Sequence, residues 1–231
     1  MILAAGRGER MRPLTDTLPK PLLTVGGKSL LVRHIENLAA AGLRHIVINH
    51  AHLGALIEAE VGDGSGLGVV IEYSREGVAL ETAGGIVLAL PRLGDDPFLV
   101  VNGDIYCELD FAPLAARARL LIPAGTLAHL VLVDNPPHHP RGDFALAGGR
   151  VANEGATRLT FSGIGVYAPR LFAGLTPGEK APLAPLLRRA AVAGAVTGEH
   201  FHGRWEDVGT PQRLAALDSA LTVRAAGHAR G

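Results

Sequence analysis

The sequence predicts an α/β protein: a mixed, mostly parallel sheet flanked by helices, in a single domain. Short β-branched apolar runs alternate with longer runs of helical period through the N-terminal half, the order expected when parallel strands are joined by helical crossovers. Several strand-like runs, such as PFLVV, are almost continuously apolar, as strands covered on both faces must be. A length of 231 residues with 48% hydrophobic content suffices for one sizeable core.

The first strand is short, ending near Leu3. It runs into a loop, not a helix, because Gly6, Gly8, Pro13, Pro19 and Pro21 follow. Helix formation is delayed to SLLVRHIENLAAAG, where Leu30, Leu31, Ile35 and Leu38 fall at helical spacing, with Ser29 as the N-cap and Gly42 as the stop. RHIVINH then reads as a strand, HLGALIEAEVG as a helix, GVVIEYS as a strand, ETAGGIVLALPRL as a helix and PFLVVNGD as a strand. AHLVLVDN is a further buried strand, and GDFALAGGRVAN, with glycines between its halves, is a hairpin. LTFSGIGVYAP predicts a long strand, PLAPLLRRAAVAG a helix, and AVTGEHFHGRWEDVG one or two strands. TPQRLAALDSALTV is a closing helix that opens at Thr210 with Pro211 in its first turn. The domain is therefore expected over residues 1–224, and 225–231, which lack an apolar period, as a frayed tail.

Charge and cysteine content narrow the function classes. Lys plus Arg balances Asp plus Glu at 22 each, so no global field favours nucleic acid or an anionic membrane, and charge-based recognition must be local. Cys107 is the single cysteine, which precludes an intramolecular disulfide and suits the cytosol. MILAA is far shorter than the core of a signal peptide, and no stretch is apolar enough for a membrane span. Oligomeric state is left open, with a monomer compatible.

In sheets of this kind ligands bind beyond the carboxyl ends of the strands. Three such places carry chemistry. In the opening loop Gly6 and Gly8 clear the backbone for a phosphate, and Arg7, Arg10, Arg12 and Lys20 can neutralise its oxygens. Pro19 and Pro21 stiffen the chain around Lys20 and so aim its ammonium. By spacing alone a basic surface turn explains the loop equally well. It is neither a P-loop, since no Gly-Lys-Ser/Thr follows, nor a dinucleotide fingerprint, since no helix begins there. The other two places are Asp104 in VVNGDIY and Asp207 in WEDVGTP, strand-end carboxylates able to hold Mg2+ against phosphates, although a turn aspartate reads the same way.

The pattern LAAGRGERMRPLTDTLPKP, from Leu3 to Pro21, resembles the signature of the sugar-1-phosphate nucleotidyltransferases, and VNGD and DVGT fall where that family has two magnesium-binding aspartates. VINHAHLG, ETAGG, LVDNPPHHPRGDF and FSGI look more closely like the bacterial N-acetylmuramate-1-phosphate uridylyltransferases of peptidoglycan recycling, which lack the C-terminal β-helix or cupin domain of other relatives. The resemblance covers nearly the whole chain. It implies a Rossmann-like nucleotide-diphospho-sugar transferase fold and the transfer of a uridylyl group from UTP to a sugar 1-phosphate, with guanylyl transfer to mannose 1-phosphate as the alternative. It implies Arg10 on the triphosphate, Lys20 near the α-phosphate, and Mg2+ on Asp104 and Asp207. It further implies that Leu3, Ala4, Ala5, Gly6, Arg7, Gly8, Glu9, Thr82 and Gly85 border the nucleotide, and that Asn102, Arg141, Gly142, Asp143 and Gly163 lie beside the sugar.

Relatives place a Gln or Glu after the strand matching IEYSRE to read the base, which here is Glu76. A carboxylate only accepts hydrogen bonds, so it suits uracil or guanine and disfavours adenine and cytosine. Glu81 competes for this role, or it is a first-turn carboxylate favoured by the helix dipole. Arg141 is a candidate partner for the lactyl carboxylate of muramate. Relatives also carry a lysine for the sugar phosphate that GRVANEGATRLTFSG lacks, leaving Arg150, Arg158 or Lys180, and two or three more residues before the first strand. His138 with His139, and His50 with His52, lack zinc-ligand spacing and read as loop polar groups; Trp205 reads as packing. Two readings of another class remain. The delayed helix argues against a dinucleotide-dependent oxidoreductase, and retention of both aspartates with Lys20 argues against a noncatalytic nucleotide-binding module.

Overall fold

The computed structural model describes residues 1–121 and 125–228. Its elements in chain order are β1 (Ile2–Leu3), β2 (Thr24–Val25), β3 (Lys28–Ser29), α1 (Leu30–Ala40), β4 (His45–His50), α2 (Gly54–Val61), β5 (Val70–Arg75), α3 (Glu81–Leu93), β6 (Phe98–Asn102), β7 (Ile105–Cys107), α4 (Ala112–Leu121), β8 (Ala128–Val133), β9 (Phe144–Ala147), β10 (Arg150–Ala152), β11 (Arg158–Tyr167), α5 (Leu183–Val192), β12 (Val196–His200), β13 (Trp205–Asp207) and α6 (Pro211–His228). Short 3-10 turns fill the loop between β1 and β2, so regular helix is delayed to Leu30 as the prolines require. Ser29 caps α1 by accepting from Val32 N at 3.2 Å, and Gly42 leaves it with φ 81°.

Nine strands form one sheet in the order β5-β4-β1-β6-β11-β8-β12-β10-β9. The first four pair in parallel. Beyond β6 the pairings are antiparallel, except that β12 runs parallel to β8. The expectation of a mostly parallel sheet thus holds for the N-terminal strands alone. In the C-terminal half the short turn between β9 and β10 forces antiparallel neighbours, and β11 lies antiparallel to β6, β8 and β9; the Gly148–Gly149 pair, both at positive φ, makes the predicted hairpin.

Successive side chains of the central strands enter opposite cores. Phe98, Val100, Leu130 and Tyr167 pack with Ile86 of α3 and Leu186 and Leu187 of α5. Leu99, Val101, Val131 and Ile164 pack with Leu31 and Ile35 of α1, Ile57 of α2 and Leu114 of α4. This period-two division across a sheet covered on both faces explains the continuous apolar runs in the sequence. Helix α4 was not foreseen: of its residues only Leu114 and Leu121 are buried, too few to print a helical stripe. Helix α6 packs Leu217 against Val25, Leu30, Tyr106 and Val208, and continues to His228 beyond the apolar period that ends near Val223; residues 229–231 of the expected tail lie outside the described residues. Among the described residues no helix is long and apolar enough to cross a membrane.

Leu130 is fully buried at the centre of the sheet. Truncation to Ala should lower unfolding free energy by about 2–5 kcal/mol through lost burial and the cavity left behind, read as a lower urea midpoint at unchanged m-value.

Candidate active site

The carboxyl ends of β1, β4, β5 and β6 border a cleft of about 540 Å³. Parallel register brings them there together: Leu3 of β1 lies between Asn49 of β4 and Asn102 of β6. Residues Leu3 to Arg10 form one continuous wall, with Lys20, Glu76, Glu81, Thr82, Asn102 and Asp104 opposite or below it. Gly8 stands at φ 65°, and a Cβ there would press to 2.9 Å from Thr15, whose hydroxyl donates to Gly8 O at 2.8 Å. Over Gly6 a Cβ would meet no protein atom, so its backbone faces open cleft. Arg7 and Arg10 are exposed along this wall. Arg12 is not part of it: its guanidinium pairs with Asp16, four residues on, at 2.6 Å.

Glu76 follows β5 and is buried, and burial raises its carboxyl pKa. Its Oε1 accepts from Asn49 Nδ2 at 2.5 Å and its Oε2 from Leu80 N at 2.9 Å. Asn49 Oδ1 in turn accepts from Ala4 N at 3.0 Å, tying the carboxylate to the glycine-loop wall. Gly85 does not line the cleft but lies directly behind this pair, where any Cβ would collide with Glu76 Oε1. Glu81 opens α3 with φ 62°, a conformation that non-glycine residues rarely hold, and faces the cleft at the helix N-terminus. Asn49 escaped the sequence reading because a polar residue inside a strand announces no partner until the sheet is formed.

Asp104 and Asp207, 103 positions apart, meet across the small ladder of β7 and β13, in which Asp207 is paired with Ile105 and Val208 N donates to Asp104 O at 3.3 Å. Lys20, buried, donates to Asp104 Oδ2 at 2.5 Å. Asp207 Oδ2 accepts from Arg213 at 2.7 Å and lies 3.3 Å from His138 Nε2. Asp207 itself lies just outside the cleft lining, which Gly209 completes. Neither Arg213 nor His138 carried a sequence signal for this position; both reach Asp207 through tertiary packing of α6 and the 134–143 segment.

Of the expected sugar-side residues Asn102 lines this cleft, whereas Arg141, Gly142, Asp143 and Gly163 are not among its lining residues. Gly163 sits at a bulge in β11 with φ 81°, where a Cβ would strike the side chain of Asn102. Asp143 braces the 134–143 segment: Oδ1 lies 3.0 Å from His139 Nε2, and Oδ2 accepts from Phe161 N at 2.8 Å. Gly142 stands at φ 60° against Asn135 and Arg158, and Arg141 is exposed. Of the candidate phosphate cations, Arg150 is bonded to Gly194 O, before β12, at the opposite end of the strands from the cleft, whereas Arg158 donates to Asp143 O within the sugar-side segment. Trp205 donates to Ser162 O at 2.9 Å and packs on the core, as its reading as packing requires.

Residues 1–141 match the protein-family model described as nucleotidyl transferase. The chain belongs to the nucleotidyl transferase family. It is 54% identical over 218 residues to the N-acetylmuramate α-1-phosphate uridylyltransferase of Neisseria meningitidis, spanning 93% of this chain and 94% of that enzyme. The enzyme of the same name from Caulobacter vibrioides is 37% identical over 96% of both chains. The mannose-1-phosphate guanylyltransferase of Mycobacterium tuberculosis is 41% identical, but over 49% of this chain and 32% of its own. Among solved structures, HddC from Yersinia pseudotuberculosis superposes with a TM-score of 0.75 at 20% identity, covering 95% of this chain and 97% of that one, a likeness of fold. The nucleotidyl transferase match covers the glycine loop, Lys20, Glu76 and Asp104, and ends before Asp207.

In this nucleotidyl transferase the ladder that carries Asp104 is held by His34 of α1. Its Nε2–H donates to Ile105 O at 2.9 Å, and burial lowers its pKa from 6.5 to about 4. The folded protein therefore keeps His34 neutral while the unfolded chain takes up a proton below 6.5. Stability should fall as pH falls from about 6.5 to about 4. His34→Gln, which keeps a donor for Ile105, should show a shallower loss when urea unfolding is compared at pH 7 and pH 5.

Proposed function

We propose that this nucleotidyltransferase converts UTP and N-acetylmuramate 1-phosphate to UDP-N-acetylmuramate and pyrophosphate, as a cytosolic, Mg2+-dependent step of peptidoglycan recycling. The end-to-end 54% identity to an enzyme of that name carries the reading. An oxygen of the sugar phosphate attacks the α-phosphorus in line, the bond to the β-phosphate bridging oxygen breaks, and pyrophosphate leaves with that oxygen. The attacking phosphate, with a second pKa near ~6, is already largely dianionic at neutral pH and needs no general base. A cleft without a nucleophile–base pair among the described residues suits such chemistry, which asks for positioning and charge stabilisation.

The loop from Leu3 to Arg10 would wrap the triphosphate, Arg10 would meet its outer phosphates, and Lys20, fixed between prolines, would stabilise charge developing at the α-phosphate. Asp104 and Asp207 suit Mg2+: both offer hard oxygens, and among the described residues neither Oδ1 has a protein hydrogen-bond partner. The ion would supply charge neutralisation to the phosphates there. Glu76, anchored by Asn49 and Leu80 N, keeps lone pairs for the N3 proton of uracil. The same acceptor would serve guanine, so guanylyl transfer to mannose 1-phosphate is the competing reading.

Pyrophosphate release should be measured for the common nucleoside triphosphates crossed with a panel of sugar 1-phosphates, with and without Mg2+. Release is expected chiefly from UTP with N-acetylmuramate 1-phosphate. A preference for GTP with mannose 1-phosphate would overturn the substrate, and no release from any pair would leave a binding module. Lys20→Ala should lower kcat by roughly 10²–10³, the scale of losing one preorganised transition-state donor, with little shift in unfolding midpoint. Arg141→Ala should raise KM for N-acetylmuramate 1-phosphate and leave that for N-acetylglucosamine 1-phosphate unchanged; equal effects on both would separate Arg141 from the lactyl carboxylate.

A further inference from the structure

We infer that Asp134, His200 and His202 form a second metal site, for a borderline divalent ion of the zinc type and separate from the carboxylate pair at the cleft. One donor atom from each of the three lies within 4.8 Å of the others. His200 Nε2 is 2.9 Å from Asp134 Oδ1, and the two imidazole rings lie with centroids 3.9 Å apart. Tetrahedral zinc with bonds of ~2.0–2.1 Å sets its ligand atoms about 3.3 Å apart, so small shifts of surface side chains would close the set.

The backbone prepares this cluster. β12 ends at His200, paired with Leu132 of β8, and Phe201 N extends the ladder by donating to Leu132 O at 2.8 Å. Phe201 packs into the core, so the alternation of an extended chain turns His200 and His202 together to the other side, beside Asp134 just past the end of β8. Gly203 allows the turn that follows, since any Cβ there would collide with the Phe201 ring. An ion pair with Asp134 accounts for His200 alone. His202 has no hydrogen-bond or ion-pair partner of its own among the described residues, yet it is held against the other ring.

Donor chemistry separates this site from the cleft. Two imidazoles and one carboxylate select zinc, cobalt, nickel or iron, whereas the all-oxygen pair Asp104 and Asp207 suits magnesium. Exposure of Asp134 and His202 leaves the remaining coordination positions to water. An ion here would join β12 to the root of the 134–143 segment. Asn135, the next residue, ties that segment to β11 through Arg158 O at 2.8 Å and the Thr160 hydroxyl at 2.8 Å, and His138 within it reaches Asp207. The site is thus a clamp on the segment that approaches the catalytic cleft, and it holds whichever sugar or base the enzyme takes.

The full chain, stripped with chelator and returned to excess Mg2+ to fill the oxygen pair, would be titrated with Co2+ and with Zn2+. One equivalent of Co2+ should bind with visible d–d absorption, Zn2+ should displace it, and the unfolding temperature should rise with either ion. His202→Ala, with native circular dichroism and unchanged Mg2+-supported turnover, should weaken binding by more than the roughly tenfold that even outer-shell changes cost. His138→Ala should leave it intact. Wild-type protein without Co2+ absorption, His202→Ala binding as tightly as wild type, or loss of the site in His138→Ala instead would each overturn the inference.

Discussion

The two residues of β1 constrain everything at the carboxyl edge of the sheet. They lie between β4 and β6 with Ile2 beside Ile48 and Val101, and Leu3 beside Asn49 and Asn102. Ile2 is fully buried, and a one-residue slip would exchange it for the partly buried Leu3 and carry the glycine loop with it. Asn49 reinforces the register, since its backbone oxygen and its side-chain oxygen both accept from Ala4 N. Through the same amide it holds Glu76, so the loop after the first strand and the carboxylate after the fifth are set by one hydrogen-bonded chain.

Electrostatics at the other side of the cleft follow an alternating plan. Lys20 faces Asp104, Asp104 adjoins Asp207 across a ladder, and Asp207 faces Arg213. A cation stands against each carboxylate, Lys20 at 2.5 Å from Asp104 and Arg213 at 2.7 Å from Asp207. Such a row holds fixed charge of both signs, which would suit the transfer of a nucleotidyl group between two anionic substrates. His34 steadies the row from behind by anchoring Ile105, next to Asp104.

Legibility in the sequence tracked the range of the physics involved. Helices α1 and α3 were readable to within a residue or two because apolar period, and in α1 the Ser29 cap, act over a few positions. Helix α4 was not, because it buries little, and of the antiparallel half only the β9–β10 hairpin was, because its other pairing partners are chosen over long separations. At the site, the glycine loop, Lys20 and Asp104 were named from residue type and strand ends, and Glu76 and Glu81 from the family resemblance, and they line one cleft. Asn49 and His138 were missed because each acquires its role only by meeting a carboxylate distant in sequence, and Arg213 because its reach to Asp207 depends on how α6 packs. The expected sugar-side residues around Arg141 lie apart from the cleft lining, with Asp143 engaged as a brace.

By itself the sequence determined where strands end, which loop is cleared of side chains and stiffened by prolines, and which charged residues stand at those ends; these are local consequences of φ/ψ limits and apolar period. Only the tertiary structure decided which of those charges meet. Asp104 and Asp207 come together because β13 pairs with β7, Lys20 reaches Asp104 because its loop folds back over β6, and His200 and His202 approach Asp134 because β12 lies in parallel beside β8. The reason is that strand pairing is specified by the summed burial of two cores, a quantity that no local stretch of residues contains.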